Sequence, residues 1–129
     1  MEFIEVEITL AYPPSGNHMW KKTKAGHTYL TPDARRYYDH VRWQVATEAK
    51  MLNLDFELFV MCTLHPPDKR RRDLDNAWKV VSDSLTKARL WQDDHQIRRL
   101  VLQWGDPVEG GQVTVSVFPA EVIIEINVS

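Results

Sequence analysis

The segment Lys69-Arg70-Arg71-Arg72-Asp73-Leu74-Asp75-Asn76 places four cations directly before two closely spaced carboxylates, with Lys79 and then Asp93-Asp94 further on. A dense positive run suits a phosphate backbone. Converging carboxylates suit a divalent ion that activates water and neutralises developing phosphate charge. An enzyme that cuts nucleic acid needs both. Hard oxygen ligands of this kind fit Mg²⁺, with Mn²⁺ as a substitute, rather than Zn²⁺.

The spacing restricts the local structure. Residues two apart lie about 200° apart around a helix, but on one side of an extended segment. Asp73 and Asp75 can therefore face one ion only if Asp73 precedes the helix and Asp75 opens it. Lys79, four residues on, then shares a helical face with Asp75. Each piece also has a plain structural role. An Asp before a helix caps it, a basic run forms a solvated loop, and Asp93-Asp94 forms a turn. Lys79 can be a surface partner of Asp75. Only the combination points to chemistry.

At 129 residues the chain is long enough for one domain with one core. The apolar fraction of 43% and charged fraction of 26% are those of an ordinary globular protein. Cys62 is the sole cysteine, so no internal disulfide forms and a reducing compartment fits. The start Met1-Glu2-Phe3-Ile4-Glu5 lacks a secretory pattern. No apolar run reaches membrane-helix length. The expected location is the cytoplasm, with no membrane partner. The net charge of −2 does not advertise a nucleic-acid binder, but one or two bound divalent ions would bring it to 0 or +2. DNA affinity should then follow metal as well as salt. His18, His27, His40, His65 and His95 show no zinc-ligand spacing with Cys62.

The elements that must position these residues are legible as an α+β domain of order β-α-β-α-β-β. A mixed sheet is expected to pack against two helices. Ile4, Val6, Ile8 and Leu10 alternate as a strand that Pro13-Pro14 ends. The polar stretch to Leu30 is a long loop or a short hairpin. Thr31-Pro32-Asp33 starts a helix running to about Leu52. Phe56 to Leu64 is a strand, and a second helix follows the basic run to about Ala88. Ile97–Trp104 and Gln112–Phe118 are expected to form a strand pair. Val122 to Val128 alternates again as a possible extra C-terminal strand. Residues 119–129 form a tail of unknown role in an otherwise single domain, 1–129.

Arg70-Arg71-Arg72-Asp73-Leu74-Asp75-Asn76, Lys79, Asp83 to Ala88 and Trp91 to Gln96 together resemble the RusA family of Holliday-junction resolvases. Pro13-Pro14-Ser15-Gly16-Asn17 is similar as well. The likeness spans most of the chain, to about Phe118. It implies a homodimeric, Mg²⁺-dependent endonuclease acting on four-way DNA junctions. By motif position it makes Asp73, Asp75 and Asp94 the essential acids and Lys79 the important lysine, with Asp93 in reserve. Two features depart from the pattern. Arg89 stands where the family often has glycine, and the tail after Phe118 has no counterpart.

On this reading Asp73, Asp75 and Asp94 hold the metal, and Lys79 contacts the scissile phosphate. Lys69, Arg70, Arg71, Arg72, Asn76, Asn17, Lys21 and Lys22 bind DNA, with Arg35 and Arg36 as further cations. Trp20, Tyr29 and Trp91 are candidates to stack on exposed bases, although aromatics at such positions more often belong to the core or its rim. Two-fold junction symmetry calls for a two-fold protein. Three rival readings stay open: a branched-DNA binder that does not cut, a nuclease for flaps or replication intermediates, and a Ca²⁺-stabilised loop.

Overall fold

The computed structural model describes residues 5–50 and 52–122. Four strands form the main sheet: β1 (Val6–Leu10), β4 (Leu58–His65), β5 (Ile97–Trp104) and β6 (Gln112–Pro119). Two short strands, β2 (Trp20–Lys22) and β3 (Thr28–Leu30), make a separate hairpin, so the polar stretch before Leu30 is not a plain loop. Two helices, α1 (Pro32–Glu48) and α2 (Leu74–Lys87), complete the α+β architecture.

The main sheet runs in the order β1-β6-β4-β5. β6 is antiparallel to both β1 and β4, whereas β5 is parallel to β4. The expected pairing of β5 with β6 is therefore incorrect, because β4 lies between them. The burial patterns give the reason. Leu58, Phe59, Val60, Cys62 and Leu64 are all buried, as a central strand requires. Along β5, Arg98, Arg99, Leu100, Gln103 and Trp104 stay exposed, as an edge strand allows.

One face of this sheet carries the core. Ile8, Leu10, Val60, Cys62, Leu64, Val113, Val115 and Val117 pack with Tyr37, Val41 and Val45 of α1 and Val81 and Leu85 of α2. Burial pushes the Cys62 thiol up to about 12. Iodoacetamide at pH 8 is expected to leave Cys62 unmodified in the folded protein. It should label one thiol per chain in denaturant, as read by intact mass; rapid native labelling would contradict this packing.

Helix α1 begins as the sequence indicates. Thr31 accepts a hydrogen bond from the Ala34 amide at 3.2 Å and donates its hydroxyl to the His18 carbonyl at 2.7 Å, so the cap also ties down the hairpin region. The helix ends at Glu48, not near Leu52. Lys50 and Asn53 both adopt φ of +50°, which turns the chain away, and Leu52 is left exposed. The strand expected from Phe56 starts at Leu58. Ile4, and residues 123–128 of the proposed last strand, lie outside the described residues.

Helix α2 is capped by Asp73 and carries Asp75 in its first turn and Lys87 in its last, which suits the helix dipole. Beyond its C-cap Ala88, Arg89 takes φ of +65°. This is the left-handed position that glycine fills without a steric cost. Arg89→Gly is expected to raise stability by about 0.5–1 kcal/mol, as the relieved strain outweighs the added freedom of the unfolded chain. A lower urea midpoint for that variant would show that the Arg89 side chain contributes more than its backbone costs.

Candidate active site and nucleic-acid interface

Three segments meet around the start of α2. The basic loop, Pro66 to Arg72, leads into the Asp73 cap. The Tyr12–Asn17 segment lies against it, and its one-turn 3₁₀ helix (Gly16–His18) is capped by the Ser15 hydroxyl. A Cβ added at Gly16 would run into the Asn76 side chain, so Gly16 allows this close approach. Asp94 opens another one-turn 3₁₀ helix (Asp94–Gln96), which Asp93 and Gln96 close with a reciprocal capping box.

Two hollows result. One, about 450 Å³, is lined by Tyr12, Asn17, Arg71, Arg72, Asp73 and Asn76 among others. The next, about 420 Å³, is lined by Trp20, Asn76, Lys79, Asp83 and Asp94 among others. Gly16 and Asn76 line both, so the hollows form one trough along the start of α2.

Asp73 precedes α2 and Asp75 lies in its first turn, the order that facing one ion would need. The Asp73 Oδ1 accepts the Asp75 amide at 3.1 Å, so Asp73 is a true N-cap. The Asp75 carboxylate lies 3.7 Å from the Lys79 Nζ, with both side chains about three-quarters exposed. That pair is worth under ~1 kcal/mol. Asp94 is placed with Lys79 in the second hollow, while Asp73 lines the first. Among the described residues, no three His, Cys, Asp or Glu side chains are gathered so as to hold a metal ion.

The acid pair after α2 is electrostatically divided. Asp93 is held down to about 2, chiefly by the His95 backbone amide, then by the His95 ring and Asp94. Asp94 is raised, first by its hydrogen bond with Asp93, then by partial burial and the charges of Asp93 and Asp83. Asp83 was not a sequence candidate, yet it lines the same hollow. Its signal was available: Asp75, Lys79, Asp83 and Lys87 recur every four residues along one face of α2. Asp83 also accepts the Tyr38 hydroxyl at 2.7 Å and lies 3.4 Å from Lys87.

The basic loop is not a row of free cations. Asp68 pairs with Arg72 at 2.9 Å and with Arg70 at 3.3 Å. Its carboxyl is lowered to about 2, first by the Arg72 hydrogen bond and then by the Arg70 amide. Arg72 is half-buried and also donates to the Asp68 and Arg70 carbonyls, each at 3.1 Å. It holds the loop in shape. Lys69 and Arg71 are exposed and make no ion pair among the described residues. Lys21 and Lys22 lie exposed on β2, and Asn17 is exposed on the 3₁₀ turn.

Of the aromatic candidates, Trp20 and Tyr29 are 52% and 41% exposed. Trp91 is fully buried in the core and cannot stack on DNA without unfolding its surroundings, so for this residue the core reading holds and the stacking one does not.

A small mixed-sheet domain with a basic loop feeding acid-bearing helix and turn ends is a frame suited to phosphodiester chemistry. The chain matches the family model described as endodeoxyribonuclease RusA over residues 11–126, so most of the tail after Phe118, expected to have no counterpart, falls within the match. It is 37% identical over 90 residues to a protein of Shigella sonnei strain Ss046 named crossover junction endodeoxyribonuclease RusA, covering 70% of this chain and 74% of that one. Proteins of the same name from Escherichia coli strain K12 and from Enterobacteria phage 82 show the same identity over the same shares of both chains. The chain belongs to the RusA endodeoxyribonuclease family. Among its described residues, no helix is long and apolar enough to cross a membrane.

Proposed function

We propose that this protein is a divalent-metal-dependent endonuclease that resolves four-way DNA junctions by paired symmetric nicks, in recombination and repair. One observation carries the reading. A trough joins the basic loop, the Asp73 cap, Lys79 and Asp94 in a chain with this family's relatives. Recognition rests on phosphate contacts and on the spacing of two basic surfaces, more than on base edges. A homodimer supplies one cutting site for each of two symmetry-related strands. The cytoplasm is the compartment this role implies.

The donor set suits Mg²⁺. That ion is commonly held by one or two carboxylates, waters and substrate phosphates, not by a complete protein cage. The lack of a preformed trio among the described residues is compatible with such binding. Asp73 spends Oδ1 on its cap, which leaves Oδ2 to face a cation. Asp75 and Asp94 are exposed carboxylates, the first paired with Lys79 and the second lining the same hollow as Lys79. These three acids would hold the metal, with Mn²⁺ as a substitute. When bound, the metal lowers the pKa of a water and offsets charge at the phosphate.

The chain's own groups do the rest. Lys79 turns its ammonium from Asp75 to a phosphate oxygen. Lys69, Arg71, Lys21 and Lys22 hold the backbone on either side. Arg70 and Arg72 add charge while shaping the loop, and Asn76 and Asn17 donate to phosphate or sugar oxygens between them.

The test is a mobile four-way junction, a flap and a linear duplex, each offered with Mg²⁺ or with chelator. Paired nicks in the junction alone, and only with metal, are expected. Binding without cutting, or preferential cutting of the flap, would replace this reading with one of its rivals.

A further inference from the structure

Beyond the trough lies a third hollow, about 370 Å³, where Trp104 meets four cations, Lys69, Arg70, Arg71 and Arg72, and one carboxylate, Asp68, between the walls of Pro66 and Pro107. Trp104 is the last residue of the edge strand β5 and is 39% exposed. Among the described residues no cation stacks on its ring: Arg72 covers Tyr12, Lys87 covers Tyr38 and Arg99 covers Phe59. An indole left open in a cationic hollow is matched to a ligand with a flat ring and an adjoining negative charge.

The surroundings hold Trp104 in place. The Gly105 amide donates to the Leu64 carbonyl at 2.8 Å, and the Val108 amide donates to the Pro66 carbonyl at 2.9 Å. The His65 Nδ1 lies 2.8 Å from the Asp106 carbonyl oxygen. A Cβ at Gly105 would strike the His65 ring, so the backbone after Trp104 runs tight against β4. Asp68 fixes the facing loop through Arg70 and Arg72. An aromatic platform on a rigid edge needs no reordering to receive a base.

Continuity supplies the ligand. Arg71 and Arg72 line this hollow and also the one containing Asp73. That hollow in turn shares Gly16 and Asn76 with the one containing Lys79 and Asp94. Shared lining residues thus link the hollow holding Trp20, Lys79 and Asp94, through the one holding Asp73, to the one holding Trp104.

We propose that Trp104 is a stacking post for an unpaired base of the DNA strand that passes the candidate cutting site, with Lys69 and Arg71 gripping the phosphates beside it. This rests on the nuclease reading and extends it. It gives the enzyme a preference for strands whose bases are already unstacked, as at the crossover of a junction. Stacking tolerates any base, so the post adds affinity for structure without adding sequence preference.

The test uses the full chain with chelator, so that no strand is cut. Binding of a labelled four-way junction and of a labelled oligothymidine is followed by anisotropy over a range of salt. Trp104→Ala is expected to weaken both by roughly 10-fold or more. Trp104→Phe should restore most of the affinity. The salt slope of Trp104→Ala should match wild type, because no cation is lost, whereas Arg71→Ala should reduce it by about one. Analytical ultracentrifugation and thermal melting accompany each variant. Trp104→Ala binding both probes within twofold of wild type would overturn the proposal. So would a change in subunit number, which would make Trp104 a contact between copies. A wild-type protein that binds no DNA would sink both this proposal and the nuclease reading. Normal wild-type binding and cutting beside an indifferent Trp104→Ala would sink the stacking post alone.

Discussion

Asp75→Asn is expected to abolish most cutting, by about 10²–10³-fold, while leaving junction binding in chelator within about threefold of wild type. The substitution keeps the shape of the side chain and removes only its charge. The Asp75 side chain is 73% exposed, so nothing in the core changes. The local losses are small. The pairing with Lys79 is worth under ~1 kcal/mol, and a negative charge in the first turn of α2 about 0.3–1 kcal/mol. Folding therefore survives. Phosphate binding is not weakened by losing an anion beside the basic loop, and Lys79 becomes freer to meet DNA. Cutting is different, because a neutral amide is a poor ligand for a hard dication. Single-turnover cleavage of a junction, with binding measured separately, separates the two effects. If Asp75→Asn cut at near wild-type rate, Asp75 would be only a helix-end charge and the assignment of the acids would fail.

The reach of the sequence differed from element to element for physical reasons. Angles alone say that Asp73 and Asp75 can face one ion only with Asp73 outside α2, since two carboxylates two residues apart do not share a helical face. Asp73 does precede the helix, in the capping role open to any Asp there, with the Asp75 amide at 3.1 Å. Strand positions were legible from alternation, but pairing was not. Alternation says which face is buried and not which strand lies alongside. The better signal was the nearly unbroken apolar run from Leu58 to Cys62, which fits a strand with neighbours on both sides. The end of α1 was missed because no glycine or proline marks it; Lys50 and Asn53 turn the chain at positive φ instead. The basic loop was read as a row of equal cations. Asp68, four residues before Arg72, could have warned that two of its arginines are partly engaged within the loop. The sharing of one trough by Lys79 and Asp94 depends on how the turn after α2 folds back, which no local pattern encodes.

Trp91→Ala is expected to cost about 3–5 kcal/mol of stability, which is a large share of the roughly 5–15 kcal/mol typical of a whole domain. Aromatic side chains near an acid pair invite a DNA-stacking role, although the core or its rim is the commoner place for them. The surroundings of Trp91 decide for the core. The ring is fully buried, and its Nε1 donates to the Thr86 hydroxyl at 2.6 Å. The backbone there is bound to the 54 region on both sides: the Leu54 amide donates to Leu90 and the Gln92 amide to Leu54. Removing the indole leaves a cavity under the turn that carries Asp93 and Asp94. Trp91→Phe fills most of that space, and Thr86 keeps its own bond to the Ser82 carbonyl at 2.9 Å, so a smaller loss of about 1–2 kcal/mol is expected. Urea unfolding of the two variants, read beside DNA affinity under conditions where each remains folded, decides between the roles. A core tryptophan moves the midpoint and leaves affinity nearly unchanged. A stacking tryptophan does the reverse, and an unchanged midpoint for Trp91→Ala would contradict the packing that places Asp94 in the trough.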